Sequence, residues 1–149
     1  MKRLKAIVSL MLLAAMLVSA FCLSAAATSQ QSVTYLDDGS YYVTTLTVFP
    51  CTRSTNSTTS GQKTRDYYNS SNEKLYSITV IGTFTYTGSK ATATHADYDF
   101  SIDKSGYSFS NGTATCSGAS VTASGTFRAL LTPSTASVTL TCSANGSLS

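Results

Sequence analysis

The chain contains no tryptophan, one histidine, two prolines and only 11 % charged residues, and these shortages narrow what it can be. One histidine supplies one possible imidazole base, and no Gly-x-Ser-x-Gly elbow is present to hold a nucleophilic serine, so a Ser-His-Asp hydrolase has little to build on. With two prolines and few charges, no Pro-rich or charged linker divides the chain into two domains. Runs of Leu, Glu, Lys and Ala that would propagate a helix are missing beyond the N-terminal segment.

The apparent basicity of the chain is local. Its formal net charge is +3, but Lys2, Arg3 and Lys5 supply three of the ten basic residues, and residues 28–149 carry seven against seven acidic ones. No basic patch survives there to neutralise phosphates, which argues against a nucleic-acid partner. The three early charges precede an apolar run over residues 6–18, in which Ser9 is the sole polar residue, and then the small-residue stretch Ser24-Ala25-Ala26-Ala27. This is the order of a secretory signal peptide, predicting residues 1–27 as leader, cleavage after Ala27, and residues 28–149 as one exported domain. An uncleaved anchor is the rival, since residues 6–27 could cross a bilayer about 30 Å thick. Lipid attachment at Cys22 is disfavoured by the bulky Phe21 before it. After cleavage no stable membrane insertion is expected, because no second apolar run follows.

Cys22 leaves with the leader, so Cys51, Cys116 and Cys142 enter an oxidising compartment. A disulfide between Cys116 and Cys142 is expected, because both lie in runs patterned as strands; closing that loop would stabilise by roughly 3–4 kcal/mol. Cys51, beside Pro50, is then the spare thiol.

What the chain has in abundance is hydroxyl: residues 28–149 hold 46 serines and threonines. Threonine and tyrosine suit a pleated, half-buried surface, whereas serine and asparagine compete with helical backbone. The period agrees. Tyr76, Ile78, Val80, Phe84 and Tyr86 fall on one face of an extended segment and Ser77, Thr79, Thr83, Thr85 and Thr87 on the other, with Ile81 the apolar exception. Eight strands are predicted, near 32–36, 40–49, 62–69, 74–88, 91–103, 106–117, 119–128 and 135–144. Between them Asp38-Gly39, Gly88-Ser89, Ser105-Gly106, Asn111-Gly112 and Asn145-Gly146 supply turn chemistry. The fold expected is an all-β, antiparallel β-sandwich, Ig-like or a partly closed barrel, with the polar residues 52–61 as its flexible loop.

Three constellations could carry function. His95, Asp97 and Asp99 share one face of one strand, about 6.5–7 Å apart along it, and could ligate a metal or act as a base with two carboxylates; the stronger reading is the solvent side of a sheet, because the intervening Ala96, Tyr98 and Phe100 face the core and a lone strand cannot wrap an ion. Tyr41-Tyr42 and Tyr67-Tyr68 are adjacent pairs, so one ring of each must point away from the core and could stack on a sugar ring. Thr-x-Thr spacing recurs at Thr83, Thr85 and Thr87, at Thr92 and Thr94, at Thr113 and Thr115, and at Thr139 and Thr141, a pattern that could order water on an ice-binding face. Asp66, Glu73, Asp97, Asp99 and Asp103 offer many carboxylate pairs, none marked by a motif. Asp37-Asp38-Gly39 is explained by a hairpin turn without calcium. Sequons stand at Asn56, Asn69, Asn111 and Asn145.

Three stretches, residues 41–47, residues 76–88 and residues 138–146, resemble a group of small secreted, uncharacterised β-rich proteins of Gram-positive bacteria. The resemblance implies export and a β-rich fold and carries over no site residue. The function expected from all of this is a non-catalytic extracellular binding or surface-interaction module, without a cofactor, whose partner is a glycan or a surface protein. The alternatives are a small extracellular hydrolase or metal-binding protein using His95, Asp97 and Asp99, and a matrix protein assembling through exposed strand edges.

Overall fold

The two-residue rhythm becomes eight antiparallel strands in the computed structural model, which describes residues 27–50, 57–130 and 132–149. The leader up to residue 26, Cys51 and Asn56 lie outside the described residues. The strands are β1 (Thr28–Tyr35), β2 (Tyr41–Val48), β3 (Thr58–Tyr68), β4 (Lys74–Tyr86), β5 (Ala91–Ile102), β6 (Tyr107–Ser117), β7 (Ser120–Ala129) and β8 (Thr132–Thr141). Each pairs with the next in chain order, giving a five-stranded sheet β1-β2-β3-β4-β5 and a three-stranded sheet β6-β7-β8. The two sheets stay separate and no closed barrel forms. Because no strand crosses over, the order is a folded meander and differs from the Greek-key order of an immunoglobulin sandwich.

Tight turns make that order possible. At the first, Gly39 adopts a φ of 80°, the left-handed region open to glycine at no steric cost. Leu36 N–H donates to Ser40 O at 2.8 Å, Gly39 N–H to Leu36 O at 3.0 Å, and Asp38 Oδ1 accepts from Ser40 N–H at 2.9 Å. The chain changes sheet after β5, where the N–H groups of Asp103 and Lys104 both donate to Leu75 O.

The core forms where the sheets overlap. Tyr76, Ile78, Val80 and Phe84 of β4 face Val121, Ala123 and Phe127 of β7 and Ala136, Val138 and Leu140 of β8, all buried. Each large apolar side chain so removed from water contributes about 1.5–3 kcal/mol. The sheets meet so closely at Gly82 that a Cβ there would lie 2.6 Å from Val121 Cγ2. On the outer faces the hydroxyls bond across strands: Thr64 to Thr79 at 2.8 Å, Ser77 to Ser101 at 2.8 Å and Thr122 to Thr139 at 2.9 Å.

Five strands over three leave an overhang. Every residue of β1 is exposed, and Leu46 is the sole buried residue of β2.

Three expectations need correction. Residues 58–61 are not loop: they begin β3, with Thr59 and Gly61 buried and the hydroxyls of Thr58 and Ser60 on the other face, an alternation that small polar residues conceal. Asn111-Gly112 is not a turn but a bulge inside β6, where the register shifts between Ser110 and Thr113, Asn111 takes a φ of 55°, and the space a Gly112 Cβ would need is filled by the Tyr98 ring. Finally, Cys116 and Cys142 are both free thiols, the first exposed and the second buried. The reason is strand order: Cys116 pairs with Val121 of β7, and Val121 with Leu140 of β8. A whole strand therefore separates the two cysteines, about 9–10 Å, beyond the roughly 7 Å between Cα atoms that a disulfide can span.

Candidate binding surface

The four tyrosines singled out by sequence come together as two rows, one on each face of the larger sheet. Register decides this: Tyr41 lies opposite Tyr68 and Tyr42 opposite Tyr67 on β2 and β3, so the first pair shares the outer face and the second the inner one.

The inner row belongs to the fold. Tyr42 and Tyr67 have ring centroids 5.6 Å apart, Tyr67 and Tyr76 4.8 Å, and Tyr76 stacks on Phe127 at 3.9 Å. Arg65 sits 4.7 Å over the Tyr42 ring, and its Nη1 donates to Ser137 O on β8 at 2.7 Å, tying the edge of the small sheet to the floor of the large one. Its Nε is buried without a hydrogen-bond partner among the described residues. Burial pushes the Tyr67 hydroxyl above the ordinary tyrosine range, with the Arg65 charge and hydrogen bond pulling the other way. Burial likewise raises Tyr76, against the pull of its hydrogen bond with Ser134.

The outer row faces solvent and includes a residue that sequence reasoning missed. Tyr35 of β1 lies opposite Tyr41, with ring centroids 5.4 Å apart, and Tyr41 stacks on Tyr68 at 4.9 Å with planes 3° from parallel. Tyr35 is 74 % exposed. The signal that could have found it is the Asp38-Gly39 turn: closing that hairpin brings position 35 beside position 41. A pair stacked face to face at this spacing presents ring edges and hydroxyls to solvent, and the tilted Tyr35 adds an open ring face. Val33, two residues earlier on the same face of β1, is exposed as well.

The same turns that end these strands border a cleft of about 360 Å³ between the sheets, lined by Asp38, Ser40, Asn69, Tyr76, Tyr107 and Ser134 among others. The hydroxyl and N–H of Ser40 hold the Asp38 carboxyl below its usual range. Glu73 is lowered by its contact with Lys104 and then by Asn69, and Lys74 bridges Asp66 at 2.9 Å and Asp103 at 3.5 Å. The turn end of the sandwich is thus a patch of paired charge around exposed aromatic rings. A second cleft of about 200 Å³ lies under the overhang, lined by Gln30, Ser32, Thr44, Leu46 and Lys63 among others. Burial, then the neighbouring Arg65, depresses the Lys63 ammonium.

His95, Asp97 and Asp99 lie on the outer, exposed face of β5. A bulge sets this up: Thr83 pairs with His95 and Phe84 with Ala93, leaving Thr94 as the extra residue, so Thr94 and His95 both turn outward while Ala93 and Ala96 face in. Asp97 Oδ1 accepts from Tyr98 N–H and Asp99 Oδ1 from Phe100 N–H, each at 2.8 Å. Both carboxylates thereby satisfy backbone donors of an edge strand. Neither cleft is lined by the trio, and among the described residues no three His, Cys, Asp or Glu side chains converge as metal ligands do. The Thr-x-Thr ranks are split between the two sheets, Thr83 and Thr85 on the larger and Thr113, Thr115 and Thr139 on the smaller.

Comparison of the chain with protein-family models, with curated proteins and with solved structures finds no match in any of the three. Among the described residues no helix is long and apolar enough to cross a membrane.

Proposed function

We propose that residues 1–27 export this chain and that the domain after them is a non-catalytic binding module, which contacts an extracellular glycan through Tyr35, Tyr41 and Tyr68. The observation that carries this reading is the outer row itself. Tyr35 spends apolar surface on solvent where it does nothing for the core, and exposed aromatic rings grouped in one place mark contact sites. A tyrosine offers a sugar both an apolar face for its ring hydrogens and a hydroxyl for its oxygens. Asp38, Asp66 and Lys74 at the same end supply polar groups to orient a carbohydrate. A hydrolase centred on His95 has less support, because its two aspartates are engaged with backbone N–H groups and neither of the two clefts is lined by them.

Retention on insoluble polysaccharides, after a glycan array has chosen the polymer, tests the reading. Tyr35→Ala with Tyr41→Ala should weaken retention about tenfold or more, the loss of roughly 1.4 kcal/mol or above that a contact aromatic carries, while His95→Ala leaves it unchanged. Equal retention of the tyrosine variant and the parent, or no polymer retained at all, would overturn it.

A further inference from the structure

Four strand edges close the two sheets, and three of them are guarded. On β5 the Asp97 and Asp99 carboxylates cap the N–H groups of Tyr98 and Phe100 and add charge. On β6 the bulge at Asn111 and Gly112 breaks the ladder. On β8, Pro133 has no N–H to offer, Arg65 occupies Ser137 O, and Ser149 exchanges both backbone bonds with Thr141. Charges, prolines, bulges and covering segments are the devices by which sheets avoid edge pairing.

Among the described residues the β1 edge has none of them. Its eight residues, TSQQSVTY, include no charge and no proline, run in unbroken register with β2 from Thr28 to Tyr35, and are all exposed. The hairpin fixes which groups are free. Because Leu36 N–H donates to Ser40 O, position 36 is a hydrogen-bonded pair, and the alternation of an antiparallel ladder makes 34, 32, 30 and 28 bond to β2 as well. Ser29, Gln31, Val33 and Tyr35 therefore direct N–H and C=O outward.

We propose that two copies of this chain join through β1, antiparallel about a two-fold axis normal to the sheet, to make one ten-stranded sheet. Matching inner face to inner face requires that paired residues share parity, and setting Gln31 against Gln31 of the second copy places Ser29 opposite Val33 and Thr28 opposite Thr34. This register forms roughly six backbone hydrogen bonds and puts no like charges together. The balance of seven basic and seven acidic residues from position 28 on leaves no net repulsion to oppose association. With the other edges guarded, the contact is isologous and closes at two. The axis also keeps both outer tyrosine rows on the same face, so a dimer would meet a polymer twice.

Sedimentation across low-micromolar to millimolar concentration, on the chain as an exporting host releases it, tests the pairing. The expected result is an apparent mass that rises to twice that of the monomer. Gln31→Lys, which sets two like charges on the axis, should return it to one, with circular dichroism and melting unchanged because β1 buries no side chain. Tyr35→Ala should remain dimeric, since position 35 lies outside the paired register; loss of glycan retention in that variant concerns the binding site alone. A monomer at every concentration, a dimer indifferent to Gln31→Lys, or growth beyond two would each overturn the proposal.

Discussion

The strands β4 and β1 belong to one sheet, yet they live by different physics. β4 is covered on its inner face by β7 and β8, and its apolar positions Ile78, Val80 and Phe84 lose all contact with water. Among the described residues nothing covers β1, which holds its place against β2 through the backbone ladder, the Gln31–Thr45 side-chain hydrogen bond and the Tyr35–Tyr41 ring contact. Tyr76 and Tyr35 make the contrast at the level of one residue type: the first is 5 % exposed and stacked on Phe127, the second 74 % exposed. Five strands facing three thus produce a stabilised half and an overhanging half, and the exposed ring of Tyr35 lies on the half that stability does not claim.

Truncating one side chain in each half should expose that asymmetry most strongly. Phe84→Ala leaves a cavity between the sheets and should cost about 3–5 kcal/mol. Val33→Ala on β1 should stay within about 0.5 kcal/mol, as surface substitutions do. Denaturant melts of the two variants measure both numbers, and a comparable loss for Val33→Ala would mean that the overhang is packed against something in solution. Smaller, and placed on the border between the halves, is Arg65→Ala. It removes the donor to Ser137 O and the cation over Tyr42, at a cost of about 1–3 kcal/mol for an edge carbonyl left without its partner. The orphaned Nε subtracts from what this arginine contributes, so Arg65→Met, which keeps most of the stem, should recover part of the loss.

All eight strands were legible in the sequence because period-two alternation is a local property: each segment declares its own faces. Tyr76, Ile78, Val80 and Phe84 could be assigned to one wall without knowing what stood opposite. Pairings between distant segments were not legible. That Cys116 and Cys142 are kept apart by β7 follows only from strand order, and that Tyr41 meets Tyr68 while Tyr42 meets Tyr67 follows only from register. The bulge at Thr94 shows a subtler limit: uninterrupted alternation would have put His95 on the same face as Ala93, and a single extra residue moved it outward. Hydroxyls add a further obscurity, since Thr58 to Gly61 alternates in burial while looking uniformly polar. The exposed row was half visible, through Tyr41 and Tyr68. Its outermost member, Tyr35, needed the hairpin.

The least effect in size concerns the buried tyrosine row and is on alkaline stability. Burial raises the hydroxyls of Tyr67 and Tyr76 above the unfolded value of about 10. Above that pH the unfolded chain gives up these protons while the folded one keeps them, so the unfolded state is favoured. The stability the two groups contribute is fully present below pH about 10 and is lost as pH rises through their folded values. Lys63 works in the opposite sense. Its lowered ammonium makes the folded state shed a proton first, so its penalty is relieved as pH climbs toward the unfolded lysine value of about 10.4. Melting temperatures followed from pH 8 to 11 should therefore fall on the alkaline side, and Tyr67→Phe with Tyr76→Phe should flatten that fall. A fall equally steep in that double variant would show that the inner row is not the buried surface that register makes it.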